Sequence, residues 1–234
     1  MIKIGCCGFP KSREIYFKNL DCVELQNTFY QPPKKFDTIE KLSREAPPNF
    51  EFSIKAWQII THLATSPTYR RLKEEVGASK NYGFFKSTKE VFLAYQKIYQ
   101  IAERLSAKII LFQSPPNFKE TKENVDSMYK FFKKIERGNL IFCWEERGNF
   151  RESTIKSICK DLNLIHAVDP FKKSPVYGDI FYFRLHGKGG YKYKYTDKDF
   201  KDLKSLVKEK PSYVLFNNVY MWEDALNFKK LRAG

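Results

Sequence analysis

Two hydrophobic patterns alternate along the chain. Short runs of apolar, β-branched and aromatic residues are typical of buried β-strands, and longer stretches with apolar residues every three or four positions are typical of amphipathic helices. The clearest helical stretches are residues 36–45, 89–106, 123–136, 153–161 and 197–208. The runs predict eight strands, at residues 2–7, 22–26, 51–55, 109–113, 140–145, 164–168, 180–186 and 213–217.

Strands that alternate with helices favour a parallel sheet. Eight units in 234 residues have about the size of one βα unit each, which predicts an α/β fold of the (β/α)₈, TIM-like barrel type. The stretch between residues 55 and 109 is longer than one unit needs and predicts an insertion of roughly 25 residues after strand 3. No Gly/Ser-rich linker interrupts the pattern, so we expect one domain over residues 1–234.

Side-chain parity predicts what the barrel interior holds, because alternate residues of a barrel strand face the helices and the interior. In the seventh run, Phe181 and Phe183 share the apolar parity, which turns Arg184 and His186 inward. The same rule turns polar residues inward near the ends of the second, third and fifth runs: Glu24, Gln26, Ser53, Lys55, Glu145 and Arg147. Three further polar residues fall at the same height: Gln113, Asp169 and Asn217.

The polar residues gather at the carboxyl ends of the strands, where barrel enzymes carry their active sites. One interpretation is structural, since charges that are buried together are tolerated when they form ion pairs that plug the mouth. The other interpretation is a ligand site. Its candidate catalytic residues are Glu24, Lys55, Glu145 and His186, and its candidate ligand-binding residues are Asn27, His62, Gln113, Arg147, Asp169, Arg184, Gly187, Gly189, Tyr191, Tyr195 and Asn217.

The loop after the seventh strand combines glycines with alternating lysines and tyrosines. Gly187 and Gly189 allow backbone N–H groups to approach an anion, and barrels often bind phosphate after strands seven and eight. Tyr191 and Tyr195 add rings on which bases can stack. A solvated, flexible loop in which one or two tyrosines pack against the protein explains the same residues equally well. His62, in the insertion, is a candidate base or phosphate contact, or else an exposed loop residue.

Net charge and cysteine content indicate which partners and which compartment to expect. The formal net charge is +15, which favours acidic partners or nucleic acid. Five cysteines without a CxxC pair favour buried free thiols in a reducing compartment. The sequence shows no secretory signal and no long apolar run, so we expect a cytoplasmic protein without a membrane partner. No GxGxxG or P-loop motif occurs, and no cofactor or metal is predicted.

Several sequence blocks, in order over nearly the whole chain, resemble one family. They are ELQNTFY at residues 24–30, FSIKA at 52–56 with ITH at 60–62, FQSPPNF at 112–118, EER at 145–147, YFRLHG at 182–187 and YVLFNN at 213–218. The chain resembles the YecE-like family, also called domain of unknown function 72 (DUF72). The resemblance implies a TIM-like barrel and supplies no reaction.

The likeness of the family's fold to endonuclease IV barrels suggests nucleic acid as a partner. This sequence departs from the histidine-rich metal pattern of that enzyme, since it holds only three histidines, which speaks against cleavage by the same means. It also has Cys6 and Cys7 where the family usually has Thr and Ser, and Phe9 where Trp is usual. A role for hydroxyl groups at that position is therefore not expected.

Three function hypotheses follow. The first is binding of a phosphate-bearing small molecule, or of nucleic acid, at the carboxyl-terminal mouth of the barrel. The second is a metal-independent enzyme acting on a sugar or phosphoester, in which carboxylate, histidine and lysine side chains move protons. The third is a non-catalytic interaction scaffold. A closed pocket would favour the small molecule, and a basic stripe leading to the mouth would favour nucleic acid.

Overall fold

The computed structural model describes residues 1–233. Strands and helices alternate along them, as the hydrophobic pattern predicts. The strands are β1 (Ile2–Cys6), β2 (Cys22–Leu25), β3 (Glu51–Lys55), β4 (Ile109–Gln113), β5 (Ile141–Glu145), β6 (Leu164–His166), β7 (Phe181–Leu185) and β8 (Ser212–Phe216). The helices are α1 (Arg13–Asn19), α2 (Asn27–Tyr30), α3 (Asp37–Glu45), α4 (Gln58–Thr61), α5 (Lys89–Leu105), α6 (Lys122–Lys134), α7 (Glu152–Leu162), α8 (Asp197–Leu206) and α9 (Met221–Ala233). Within the described residues, no helix combines the length and apolar character that crossing a bilayer requires.

The strands form one parallel sheet in the order β6-β5-β4-β3-β2-β1-β8-β7. The two ends of this sheet, β6 and β7, meet through a single bridge. It joins Phe183 of β7 to Val168, two residues after the end of β6. In this bridge the Arg184 N–H donates to the Val168 carbonyl at 2.9 Å, and the Val168 N–H donates to the Tyr182 carbonyl at 3.2 Å. The sheet is therefore a nearly closed barrel, which confirms the predicted TIM-like fold. Strand β6 ends at His166, two residues before the end that the apolar run predicted.

The barrel has separate inner and outer apolar clusters, and they follow the predicted parity. The inner cluster includes Leu111, Cys143 and Tyr182, whereas residues of the opposite parity pack against the helices. Phe112 and Phe142 belong to this outer layer, where their rings join those of Phe85, Phe131 and Phe132. Non-directional burial of apolar surface holds the helices on the barrel, and the polar ends of the strands are left to face the mouth.

Threonine caps set the start of three of the helices. Thr88, Thr121 and Thr196 each accept a hydrogen bond from a backbone N–H in the first turn, of α5, α6 and α8 respectively. Such a cap is worth about 1 kcal/mol relative to alanine. Each cap fixes the point at which the loop after β3, β4 or β7 ends and its helix begins. These loops surround the mouth.

The predicted insertion after β3 is present. It contains α4 and two short 3₁₀ helices, Pro67–Arg71 and Ser79–Asn81, ahead of α5. Gly83 closes it against α4: its N–H donates to the Ile59 carbonyl at 2.8 Å, and a Cβ at this position would lie 2.4 Å from the carbonyl of His62. The Tyr69 hydroxyl donates to the same carbonyl at 2.8 Å. The insertion is thus packed closely, and it holds His62 in place.

Candidate functional site

The deepest polar layer of the barrel is an ion pair between β7 and β2. Arg184 donates to Glu24 through Nε at 2.9 Å and Nη2 at 2.7 Å. The Tyr182 hydroxyl also donates to Glu24, at 2.7 Å, and lies 2.8 Å from Ser53 Oγ. Burial opposes the charge of Arg184, but Glu145 and Glu24 hold its pKa well above the usual value. The guanidinium is therefore engaged inside the protein, as the structural interpretation of these charges predicts.

Glu145, at the end of β5, collects the next layer of donors. One of its carboxylate oxygens accepts from Arg184 Nη1 and from Gln113 Nε2, the latter at 2.9 Å. The other accepts from Arg147 through Nε at 2.9 Å and Nη2 at 2.8 Å. Burial by itself would raise the pKa of Glu145, but Arg184, His186 and Arg147 hold it well below the usual range. The carboxylate stays ionised and forms ion pairs with both arginines.

Lys55, at the end of β3, differs from both arginines because it lacks a carboxylate partner. Its Nζ donates to Gln113 Oε1 at 2.9 Å and lies 3.9 Å from the centre of the Phe29 ring. Among the described residues no carboxylate oxygen lies within 4.0 Å of this nitrogen. The side chain is buried, and burial, followed by the nearby Arg184, lowers the pKa of Lys55 to about 7. An ammonium at this position has its charge only partly compensated.

His186, just after β7, is oriented by its neighbours. Its backbone N–H donates to Asp169 Oδ2 at 3.0 Å, and the Asn217 amide nitrogen lies 3.2 Å from His186 Nδ1. The ring's Nε2 is 3.2 Å from Arg147 Nη2 and 3.6 Å from a Glu145 oxygen. Burial lowers the pKa of His186, against the raising effect of the nearby Glu145 carboxylate. The imidazole is therefore neutral at neutral pH, and Asp169 acts by holding the backbone of this residue.

His62 is buried at the edge of the same site, so the alternative of an exposed loop histidine is wrong, and that of a base or phosphate contact stays a prediction. Its ring packs edge-on against Phe29 at 4.9 Å, and its Nδ1 lies 2.8 Å from Thr61 Oγ1. Burial, followed by the charges of Lys55 and Arg147, lowers the pKa of His62 to about 3. This imidazole is uncharged under any ordinary condition.

A cavity of about 470 Å³ lies above these layers. None of the described residues that line it is acidic, and four are lysine or arginine. Its lining is Gln26, Phe29, Tyr30, Lys55, His62, Thr68, Arg71, Gln113, Arg147, Arg184, His186, Tyr191 and Asn217. A second cavity of about 280 Å³ shares Arg147, His186 and Tyr191 with the first and adds Glu146, Asp169, Lys172 and Lys173 among others. The mouth is thus divided, and its larger part is cationic.

Two predictions for the loop after β7 are wrong: that the Gly187 N–H is free to bind an anion, and that the Tyr195 ring is exposed for stacking. The Gly187 N–H donates to the Tyr195 hydroxyl at 2.8 Å and is not free to bind an anion. Tyr195 is buried against Phe171 and Phe216, so its ring offers no stacking surface. Gly189 is exposed and lines neither cavity. Of the four candidate residues in this loop, Tyr191 is the one that lines the larger cavity.

Comparison with known proteins identifies the family. The sequence profile described as "Protein of unknown function DUF72" matches residues 10–233. The chain belongs to the DUF72 family. It is 26% identical to the UPF0759 protein YunF of Bacillus subtilis (strain 168) over 94% of this chain and 85% of that protein.

Solved structures of DUF72 proteins have the same fold. One from Enterococcus faecalis aligns with a TM-score of 0.75 at 19% identity, over 100% of this chain and 96% of that one. One from Thermotoga maritima aligns with a TM-score of 0.74 at 20% identity, over 100% of both chains. Endonuclease IV from Thermus thermophilus aligns with a TM-score of 0.57 at 11% identity, over 99% and 98% of the two chains. These likenesses show the barrel fold alone.

Several lining residues of this DUF72 barrel were missed by the parity argument. Phe29 and Tyr30 lie on α2, and Thr68 and Arg71 lie on the 3₁₀ helix of the insertion. The Arg71 guanidinium lies 4.5 Å from the centre of the Tyr30 ring. A signal for α2 was present, since these aromatic residues directly follow the second strand. Asn27, which was predicted from the same block, is instead exposed and lines neither cavity.

The cysteines of this DUF72 chain are all free and buried, as predicted. Cys7 directly follows β1 and belongs to the inner cluster of the barrel. Its Sγ lies 3.7 Å from Arg184 Nη2. Cys6 faces the helices and lies 3.3 Å from the Met221 carbonyl, and burial raises its pKa to about 12. In residues 1–233, no group of three or more His, Cys, Asp and Glu side chains is arranged to hold a metal ion. These thiols belong to the packing of the barrel.

Proposed function

We propose that the larger mouth cavity of this DUF72 protein binds a small ligand that carries a phosphate group. One observation carries the proposal: the cavity is lined by Lys55, Arg71, Arg147 and Arg184 and by no acidic residue of the described chain. The nearby carboxylates are already paired: Glu24 with Arg184, and Glu145 with Arg184 and Arg147. A buried cation without a counter-charge is unfavourable, so a bound anion would stabilise Lys55.

The cations differ in what they offer an anion. Arg184 is 1% exposed and its donors are engaged by two glutamates, so its role is to hold the floor of the cavity. Arg147 is 35% exposed and lines the cavity from the rim, and Arg71 lines it from the insertion. Arginine pairs with phosphate oxygens through two parallel hydrogen bonds. The phosphate is therefore proposed to lie between Lys55, Arg71 and Arg147.

The size of the cavity favours a small molecule over a polymer as its direct occupant. Cavities that bind small ligands have about 300–1,000 Å³, and the volume of about 470 Å³ lies in that range. Phe29 and Tyr30 add apolar lining beside the cations. A sugar phosphate or a similar compact phosphoester fits this combination of charge, size and partly apolar wall.

Isothermal titration of the intact protein with inorganic phosphate and glycerol 3-phosphate tests the proposal, with glycerol as the uncharged comparison. We expect both anions to bind and glycerol not to bind. Lys55→Met and Arg147→Met should each weaken binding by about tenfold or more, the loss of one charge-assisted contact. Lys156→Met removes an exposed positive charge on α7 and should leave affinity unchanged. Equal affinity for the Lys55, Arg147 and Lys156 variants would contradict the proposal.

A second candidate function, acid–base catalysis on the same ligand, is favoured by the pKa of Lys55. Glu24 lies beneath Arg184 and does not line the cavity, and Glu145 is held ionised by its arginines, so both are weak candidates for proton transfer. Lys55, with a pKa of about 7, suits that role best. Turnover of a phosphosugar that is lost in Lys55→Met and kept in Lys156→Met would support it. Absence of both ligand binding and turnover would favour the interaction scaffold.

A further inference from the structure

The amine of Lys55 is placed differently from the guanidinium groups of Arg184 and Arg147, which line the same cavity. Arg184 and Arg147 each contact a carboxylate within 3 Å, and the neutral amide oxygen of Gln113 is the hydrogen-bond acceptor of Lys55. The face of Phe29 covers one side of the ammonium group at 3.9 Å, and the cavity lies on another. A lysine that served only to balance charge would face a carboxylate, and the carboxylates of this layer face the arginines.

This environment also makes the amine reactive. Burial, followed by the charge of Arg184, lowers its pKa to about 7, so far more of the Lys55 amine is unprotonated at neutral pH than of an exposed lysine. An unprotonated lysine amine in a desolvated pocket beside other cations is a nucleophile toward carbonyl groups. The imidazole of His186, which is neutral at this pH, lines the same cavity and can accept a proton from a bound ligand.

We propose that Lys55 forms an imine with the aldehyde or ketone group of a phosphate-bearing ligand in the mouth cavity. The proposal rests on the anion site proposed above. Free phosphate would contact Lys55 as well, but in a ligand that also carries a carbonyl group, Arg71 and Arg147 would hold the phosphate and the carbonyl carbon would lie beside Lys55 Nζ. The ligand class is therefore a phosphorylated carbonyl compound, such as an aldose or ketose phosphate in its open-chain form.

The step balances without any oxidant or reductant. The nitrogen of Lys55 attacks the carbonyl carbon, and a C–N bond forms as the C=O π pair moves to oxygen. The nitrogen loses a proton and the oxygen gains one, which gives a carbinolamine. The C–O bond then breaks, the oxygen leaves as water with a second proton from the nitrogen, and a C=N bond remains. Carbonyl compound and amine thus become imine and water, and hydrolysis reverses the step.

Pyridoxal 5′-phosphate is the probe for this inference, because it combines an aldehyde with a phosphate. The wild-type protein is incubated with limiting probe at neutral pH, reduced with borohydride and digested, and labelled lysines are found by peptide mass spectrometry. Reduction of the imine adds the mass of the probe less one oxygen atom. We expect Lys55 to be labelled at least about tenfold faster than the exposed Lys156, because far more of its amine is unprotonated. Inorganic phosphate should suppress the labelling of Lys55 and leave that of Lys156 unchanged.

Two comparisons separate the possible failures. Pyridoxal without phosphate should label Lys55 about tenfold more slowly than the phosphorylated probe, if the phosphate is held by the neighbouring arginines. Lys55→Arg keeps the positive charge and should remove the fast-labelled site. Labelling of Lys55 no faster than Lys156, in a protein that binds phosphate by titration, would overturn the imine and leave the proposed function standing. Failure to bind phosphate at all would overturn the proposed function itself and, with it, the inference.

Discussion

Arg184 and Glu24 face each other beneath the mouth of the barrel and share two parallel hydrogen bonds of 2.9 and 2.7 Å. Both side chains are at most 1% exposed. A buried ion pair often gives little net stability relative to apolar residues, but removal of one partner leaves a buried charge without compensation. The stabilising effect of each of these two side chains therefore depends on the presence of the other.

We expect Arg184→Met to lower the free energy of unfolding by about 3–5 kcal/mol, because Glu24 and Glu145 both lose their buried partner. Urea unfolding at neutral pH measures this change. The double variant Glu24→Gln, Arg184→Met should lose less than the sum of the two single changes, with a coupling of about 1 kcal/mol or more. Arg151→Met removes an arginine whose side chain is 80% exposed in its ion pair with Glu120 and should change stability little. If the effects of the two single changes simply add, Glu24 and Arg184 do not stabilise the fold as a pair.

The lowered pKa of Lys55 predicts a stability that depends on pH. In the folded protein this pKa is about 7, against 10.5 for the free side chain. Between these values the unfolded chain binds more protons than the folded one, so the free energy of unfolding rises with pH. Below about pH 7 both states are protonated and the full cost of burying the charge is present.

Comparison of wild type with Lys55→Met isolates this contribution. Relative to the variant, wild type should gain about 2–3 kcal/mol between about pH 6.5 and about pH 9. The charged groups that act on Lys55 are Arg184, Glu145, Glu24 and Arg147, and the pKa values of Arg184 and Glu145 are shifted away from this window. Urea unfolding at several pH values measures the difference, with Lys156→Met as the control. A constant difference over this range would mean that Lys55 is charged in the folded protein.

The convergence of the polar residues was predictable from the sequence, because the two-residue period of a strand is a local property. The apolar parity of Phe181 and Phe183 is enough to turn Arg184 inward. The pairing of the charges was not predictable. In the sequence, Lys55 and Arg184 are equivalent inward cations, and which of them meets a carboxylate depends on the order of strands around the barrel and on side-chain length.

The insertion and the loop after β7 were harder to interpret for a different reason. Arg71 reaches the mouth from a 3₁₀ helix, which has no apolar period long enough to place it. The alternating lysines and tyrosines of residues 191–195 suggested rings on which bases can stack, or else a flexible loop in which one or two tyrosines pack against the protein. The chain turns at Gly187 and Gly190, which have φ of 85° and 110°, and one tyrosine of the series is buried while another is exposed. Backbone turns of this kind remove the parity on which the sequence argument depends.

Gly187 is predicted to be required in this loop. Its φ is 85°, and a Cβ would lie 2.2 Å from the Gly190 carbonyl oxygen. We expect Gly187→Ala to lower the free energy of unfolding by about 1–3 kcal/mol and to speed amide exchange in residues 187–195. A Cβ at Gly189 would meet no atom within 4 Å, so Gly189→Ala is the matched control and should be nearly neutral. Similar effects of both changes, measured by thermal unfolding and hydrogen exchange, would contradict the prediction.

The net charge of +15 predicts weak, sequence-independent binding to nucleic acid, separate from the small-ligand cavity. Such binding draws on counterion release, so the affinity should fall steeply between about 50 and about 200 mM salt. Any preference for single strands must come from exposed rings on which unpaired bases stack. In the loop after β7 this ring is that of Tyr191, which is 55% exposed, because the Tyr193 hydroxyl donates to Asp199 and Tyr195 is buried.

Filter binding with single- and double-stranded oligonucleotides at both salt concentrations tests this prediction. Tyr191→Ala should remove the preference for single strands and keep most of the salt-dependent affinity, since the lysines of the loop remain. Tyr195→Ala should instead lower stability, because it opens a gap beside Phe171 and Phe216 and removes the acceptor of the Gly187 N–H. If no oligonucleotide binds even at the lower salt concentration, the positive charge does not serve nucleic-acid binding, and the cationic cavity at the mouth becomes the main candidate for an anionic partner.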